Sequence, residues 1–210
     1  MARTGRPREF DKDRTLERAL ELFWSRGYAA TSVQDLVDAL GVERGSLYGA
    51  FGDKRSFYLD AVRLYWDVYE RRLTAALDTA PLLPALREML THPARLDELV
   101  FDLGAPHGCL VGNTTAELVP GDSEATEVVA RSYRRFTEIV AAALRRGQAT
   151  GEVTDRARPE AQAQLLLYVV QGLSLVSRAG LDRAAALAAI DTAIDGLRGV
   201  TPDPRRSPGP

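Results

Sequence analysis

The sequence predicts an all-α protein of about nine helices, a three-helix unit at the N-terminus followed by a larger helical domain. Three observations carry this. Apolar residues recur at three- and four-residue spacing along most of the chain, the period of one helix face. No stretch shows the alternation of a half-buried strand, and no internal repeat is visible. The 210 residues are 45% apolar and 27% charged, a composition that supports a packed core.

From Asp13 to Ser25, the residues Leu16, Ala19, Leu20 and Phe23 form one apolar face, and Gly27 ends the helix. From Ser32 to Leu40 the same spacing returns in Val33, Leu36, Val37 and Leu40, with Thr31 or Ser32 as the cap and Gly41 as the stop. A short helix runs from about Glu43 to Ala50, with Leu47 inward and Phe51 just beyond. Asp53 then caps a long helix to about Ala80, with Phe57, Ala61, Leu64 and Val68 on one side.

Pro81 and Pro84 mark a turn before a short helix, Leu86 to Leu90, and Pro93 opens another. A loop through Gly104, Pro106 and Gly108 leads into a helix from Cys109 to Leu118, ended by Pro120 and Gly121. A long helix from Ser123 to Gln148 turns Val129, Tyr133, Phe136, Val140 and Leu144 inward. Pro159 starts a very apolar helix to about Ala179, and the last helix spans Asp182 to about Leu197. The chain divides into a basic arm (1–8), an N-terminal module (9–68), a C-terminal domain (69–199) and a proline-rich, disordered tail (200–210).

Several function classes are set aside. No apolar run reaches the roughly 18 residues of a membrane span; the longest candidate, Leu165 to Val176, is interrupted by Gln171 and Ser174. No hydrophobic segment follows the basic N-terminus, so a secretory signal is not expected and the cytoplasm is the expected location. The single cysteine, Cys109, excludes an internal disulfide, and with two histidines no metal site or cofactor is expected. Net charge is −2, from 27 basic and 29 acidic residues, yet the first eight residues hold Arg3, Arg6 and Arg8 and no acid.

Two helices, a Gly41 turn and a short third helix are the parts of a helix-turn-helix. The second helix must pack across the third and fix its angle, and the third must be short enough for its outer side to enter a major groove about 12 Å wide. Val42 suits the apolar slot of the turn, and Glu43, Arg44, Gly45, Ser46, Tyr48 and Gly49 form the outer side of the third helix. Arg44 can bond a guanine edge with two hydrogen bonds, Gly45 permits close approach, and Ser46 and Tyr48 can reach phosphates or bases. The arm, with Arg3, Arg6 and Arg8 around Gly5 and Pro7, suits a minor groove.

The stretch from Thr31 to Val42, then Gly45–Ser46–Leu47–Tyr48, Phe51 and Asp53–Lys54, resembles the N-terminal signature of TetR-type repressors over about residues 10–65. The resemblance implies a homodimeric, sequence-specific repressor that binds a palindromic operator in double-stranded DNA and is released by a small-molecule effector held in the C-terminal domain. Carried onto this sequence, it implies that Thr31 touches phosphate at the start of the second helix, that Arg44, Gly45, Ser46 and Tyr48 lie in the groove, and that Lys54 grips phosphate. Gly49 and Ala50 stand where the family often has a large aromatic or basic residue.

In the C-terminal domain, the helix around Leu165, Val169, Gly172 and Val176 is apolar on most sides and must be covered on most sides. With the alanine-rich last helix, including Ala189, it could form a four-helix interface between two copies; the alternative is an ordinary intrachain core. Trp66, Tyr69, Phe101, His107, Asn113, Tyr133, Phe136 and Tyr168 are candidates for an effector pocket, although each aromatic taken singly also suits a core. Cys109 begins a helix, a position that favours the reactive thiolate, and its Gly-Cys-Leu-Val-Gly-Asn segment resembles one in a TetR-type subgroup with members that sense electrophiles or oxidants there. The alternative is a buried, inert thiol. No enzymatic role is expected: His107 and Cys109, two residues apart, seldom face each other, and no third group orients them. A nonspecific architectural DNA binder is the remaining alternative.

Overall fold

The computed structural model describes residues 11–91, 108–180 and 182–199. Among them are nine helices: α1 (Lys12–Arg26), α2 (Val33–Leu40), α3 (Arg44–Phe51), α4 (Lys54–Leu77), α5 (Leu82–Thr91), α6 (Leu110–Leu118), α7 (Ser123–Ala149), α8 (Pro159–Ser177) and α9 (Arg183–Asp195). The only β pairing among the described residues is a single bridge between Val153 and Arg198. The all-α expectation therefore holds. The arm, Pro93, Phe101, His107 and the 200–210 tail lie outside the described residues.

Local chemistry explains most boundaries. The Asp11 carboxylate caps α1 by accepting from Arg14 N at 3.1 Å. Ser32 and Asp35 form a reciprocal capping box at α2, and Gly41 closes that helix in the left-handed region at φ 66°. Asp53 caps α4, Asp122 caps α7 and Asp182 caps α9, each through its carboxylate.

One boundary departs from expectation. Pro84 was expected to lie in a turn, yet α5 begins at Leu82 and takes Pro84 into its first turn, where a missing N–H leaves no helical bond unmade. The N–H groups of Leu82 and Leu83 are satisfied from outside, by the Glu152 carboxylate at 3.0 and 2.7 Å.

The N-terminal module closes around aromatic rings. Phe23 meets Phe57 and Tyr58 edge to face, with centroids 5.9 and 5.0 Å apart, and Phe51 stacks on Phe57 at 4.0 Å. Such pairs contribute about 0.5–1.5 kcal/mol each beyond their burial. Arg18 donates to the carbonyls of Leu40 and Ala39, so a cation sits on the negative end of α2.

Helix α4 leaves this module and runs on into the C-terminal domain. It is buried on more than the single stripe expected, because α1 packs on one side of it and α7 on another. Tyr58, Leu59, Val62, Tyr65 and Trp66 are buried alongside Phe57 and Ala61. In the C-terminal domain α7 packs along α8, α6 packs on α7, and α5 packs on α9 through the Arg87–Asp191 pair.

Candidate nucleic-acid interface and inter-helix cavity

On α3, Leu47 and Phe51 are buried while Arg44, Gly45, Ser46, Tyr48 and Gly49 are exposed. The inward side locks the helix to the module and leaves the outward side free to be read. Arg44 Nη2 donates to the Tyr48 hydroxyl at 3.3 Å, and the guanidinium lies 5.6 Å from that ring, so one turn of helix fixes the direction of the arginine. No side chain caps the start of α3, which leaves its partial positive charge available to an anion. A Cβ added at Gly45 or Gly49 would meet nothing within 4 Å, so neither glycine is needed for packing.

Two residues expected to touch phosphate are placed differently. Thr31 is wholly buried, and its hydroxyl donates to Gly27 O at 2.7 Å; Ser32, exposed, takes the cap. The reason is geometric: the residue before a capping box turns back into the loop that precedes it. Lys54 Nζ donates to the carbonyls of Tyr28 and Thr31, both at 2.8 Å, and lies 4.1 Å from the Tyr28 ring. In this conformation the ammonium fastens the α1–α2 turn. Arg3, Arg6 and Arg8 lie outside the described residues.

Between α4, α6, α7 and α8 lies a partly open cavity of about 30 Å³. Of the residues expected to line a pocket, Trp66, Tyr69, Cys109, Tyr133 and Phe136 do so. Tyr65, Val111, Leu167, Val170, Gln171 and Ser174 complete the wall. Asn113 and Tyr168 are corrections. The Asn113 side chain turns to Arg178, whose Nη1 donates to Oδ1 at 2.7 Å. Tyr168 is 65% exposed, on the outer side of α8. Phe101 and His107 lie outside the described residues.

Tyr65, Tyr69 and Phe136 present nearly parallel rings to this space, tilted by 15° and 22° in successive pairs. The Cys109 thiol, at the first position before α6, accepts from Tyr65 Oη at 3.8 Å and Gln171 Nε2 at 3.7 Å. Burial raises the phenol pKa of both Tyr69 and Tyr133, which keeps them neutral.

Helix α8 is two-faced. Leu166, Leu167, Val170 and Ser174 are buried, whereas Leu165 (56% exposed), Tyr168, Gly172, Leu175 (68%) and Val176 (46%) form an outward apolar stripe, with Val169 half-buried. Their spacing is that of a helix-packing seam. Ala189 of α9 is exposed as well. Sequence periodicity marks the helix as apolar on most sides and does not say which side meets its own chain.

The residues that sequence reasoning missed join the cavity to the reading module. Gly108 O accepts from Trp24 Nε1 at 3.1 Å, Thr114 Oγ1 bonds Tyr58 Oη at 2.9 Å, and the Glu117 carboxylate accepts from Tyr28 N and Ala29 N at 3.2 and 2.8 Å. The stretch from Gly108 through α6 is thereby bonded to α1, α4 and the α1–α2 turn at Gly108, Thr114 and Glu117. A second link is ionic: Arg55 grips Asp122 with two bonds and also reaches Glu124, which pairs with Arg63. The Arg55 hydrogen bonds hold Asp122 well below the usual carboxylate range, and the Arg63 and Arg55 bonds lower Glu124.

Among the described residues no helix is long and apolar enough to cross a membrane. The family profile described as bacterial regulatory proteins, tetR family, matches residues 16–61, and one described as tetracyclin repressor-like, C-terminal domain, matches residues 83–193. The chain is 28% identical over 178 residues to the HTH-type transcriptional repressor ComR of Escherichia coli, covering 84% of this chain and 83% of that one. It is 31% identical over 156 residues to the uncharacterized HTH-type transcriptional regulator YezE of Bacillus subtilis, covering 72% and 79%. A solved structure of a cysteine mutant of the TetR family transcriptional regulator CifR, complexed with 26-bp double-strand operator DNA, is similar with a TM-score of 0.76 at 29% identity, over 92% of this chain and 100% of that one.

Proposed function

The chain belongs to the TetR family of bacterial regulatory proteins, and from that premise we propose that it is a homodimeric repressor that binds a palindromic operator and lets go of it when a small molecule enters the cavity. The observation that carries this reading is the exposed Arg44–Gly45–Ser46–Tyr48 side of α3, held outward by buried Leu47 and Phe51. Arg44 would read a guanine edge, Gly45 would let the backbone approach, and Ser46 and Tyr48 would reach bases or phosphates. The arm, through Arg3, Arg6 and Arg8, would follow the minor groove. The protein would act in the cytoplasm, where the operator is.

The outward stripe of α8, with Ala189 of α9, suits a second copy of the chain. A two-fold dimer sets two reading helices one DNA turn apart, about 34–36 Å, or a multiple of that. Residues 9–68 would be the DNA-binding unit and 69–199 the effector and dimer unit, with α4 shared between them. The effector would favour a conformer with wrongly spaced reading helices and shift the population by its differential affinity. Helix α6 is the natural transmitter, since one end walls the cavity through Cys109 and Val111 while the other holds the α1–α2 turn through Glu117.

The deciding experiment is competition between the duplex upstream of the protein's own gene and scrambled duplex at fixed salt, with the assembly size measured in parallel. A marked preference and a dimer are expected. A specificity ratio near one would favour a nonspecific architectural binder, and a strict monomer would overturn the reading.

The position of Cys109 supports a second reading, in which modification of its thiol is the releasing signal. Its sulfur faces the cavity at the N-terminal end of α6. If Cys109→Ser protein keeps every effector response, that reading fails.

A further inference from the structure

Resting on the effector reading above, the chemistry of the cavity wall narrows what enters. Its polar groups are the Tyr65, Tyr69 and Tyr133 hydroxyls, the Trp66 indole N–H, the Cys109 thiol, the Gln171 amide and Ser174, and among the described residues no lysine, arginine, aspartate or glutamate lines it. Glu70 accepts from Trp66 Nε1 at 2.8 Å and is paired with Arg135, and Arg178 is bonded to Asn113, so these charges are engaged with partners of their own. An ion placed here would lose its hydration with no opposite charge among the described lining residues to replace it. The walls are largely aromatic, and the near-parallel Tyr65, Tyr69 and Phe136 rings offer flat faces.

We propose that the cavity takes an uncharged, planar aromatic molecule carrying one small hydrogen-bonding group, its ring among Tyr65, Tyr69 and Phe136 and its polar group beside Gln171 and Cys109. As it stands the space of about 30 Å³ holds no more than water. A single aromatic ring fits a cavity of roughly 150 Å³, so the occupied form has its walls further apart. In the proposed occupied form α6 and α8 move apart, which breaks the Gln171–Cys109 and Arg178–Asn113 bonds between them. Gly112 lies against the Gln171 amide so closely that a Cβ there would stand 2.6 Å from Oε1, and no side chain of Gly112 interlocks the two helices. Displacing α6 moves the element that carries Glu117, so a ligand of this class is bound and signalled by the same motion.

Four probes test this, each followed by saturation-transfer NMR and thermal shift on the full chain: acetophenone, benzoate, benzylammonium and cyclohexyl methyl ketone. Acetophenone is expected to bind, both ions at least tenfold more weakly, and the saturated ketone several-fold more weakly than its aromatic counterpart. In Gln171→Glu protein, a nearly isosteric change, benzylammonium is expected to gain at least tenfold while acetophenone loses. Equal binding of benzoate, no binding by any probe, or an unchanged order in Gln171→Glu overturns the assignment. Operator affinity is measured separately. Acetophenone binding that leaves operator affinity unchanged supports the ligand class and overturns the effector reading, whereas operator release by benzoate alone keeps the effector reading and overturns the ligand class.

Discussion

The Glu117 side chain occupies the place where a Cβ on Gly27 would stand, with Oε1 only 2.7 Å from that point. Gly27 ends α1 at φ 87°, ψ 167°, a backbone conformation open essentially to glycine alone. The same carboxylate holds the next two backbone N–H groups, those of Tyr28 and Ala29. One glycine thus provides both the turn and the room for the clamp between α6 and the reading module.

Gly27→Ala is therefore expected to destabilise the protein by about 1–3 kcal/mol from backbone strain, plus the displacement of Glu117. In the Glu117→Ala background the second contribution is already gone, so the double variant should lose less than the sum of the two singles. Urea unfolding of all four proteins checks this, and strict additivity would show that the clamp and the glycine are independent.

Gly45→Ala should separate folding from reading. The position is helical and has open space around it, so alanine should leave stability unchanged or raise it by up to about 1 kcal/mol. Operator affinity should fall at least tenfold, because the added methyl group stands between the helix backbone and the groove. Melting and fluorescence anisotropy on one preparation give both signs; unchanged affinity would remove Gly45 from the interface.

Lys54→Met should act on stability more than on phosphate. Its ammonium already serves two carbonyls of the α1–α2 turn. The melting temperature should drop, while the slope of operator affinity against salt should change by less than the roughly one unit expected for a lost phosphate contact. A full-unit change with unaltered melting would restore Lys54 to the role that the family resemblance implied.

Asp122→Asn isolates the ionic link from the helix cap, because asparagine caps as well as aspartate does. In the folded protein the Asp122 pKa is lowered, chiefly by its hydrogen bonds to Arg55. That stabilisation is full above the ordinary carboxylate value of about 4 and disappears as pH falls through the lowered value. The variant should be less stable than the parent at pH 7, and the gap should shrink steadily below pH 4. A gap independent of pH would assign the loss to packing.

Tyr168→Glu with Leu175→Glu should yield a folded monomer in sedimentation equilibrium and abolish selective binding to a palindromic duplex. Both side chains are largely exposed in the single chain, so intrachain packing gives no reason for unfolding. A dimer that persists would move the interface elsewhere.

What could be read from the sequence was what neighbours in sequence decide. Ser32 as a possible cap, Asp53 as a cap, the Gly41 stop and the inward Leu47 all follow from residues within one helical turn. Which of Thr31 and Ser32 faces outward depends on the loop behind them, and Lys54 reaches carbonyls 23 and 26 residues away. Tyr168 falls outside the pocket, and a helix apolar on most sides gives no sign of which side meets its own chain. Asn113 was misplaced because Arg178, 65 residues on, claims it. The Glu117 clamp had no local signature at all: its partners lie 88 and 89 residues earlier, and a lone acidic residue near a helix end is unremarkable.

Leu167 and Val170 of α8 wall the cavity, while Leu165, two before Leu167, and Tyr168, two before Val170, lie on the outer surface. In the proposed pair of chains one rod is therefore both the side of a binding chamber and half of a shared seam. If parting α6 from α8 also moves α8, its twin is pressed by the shift, and the second chamber is expected to fill at a different affinity. Titrations should show two molecules per assembly and a Hill coefficient different from one.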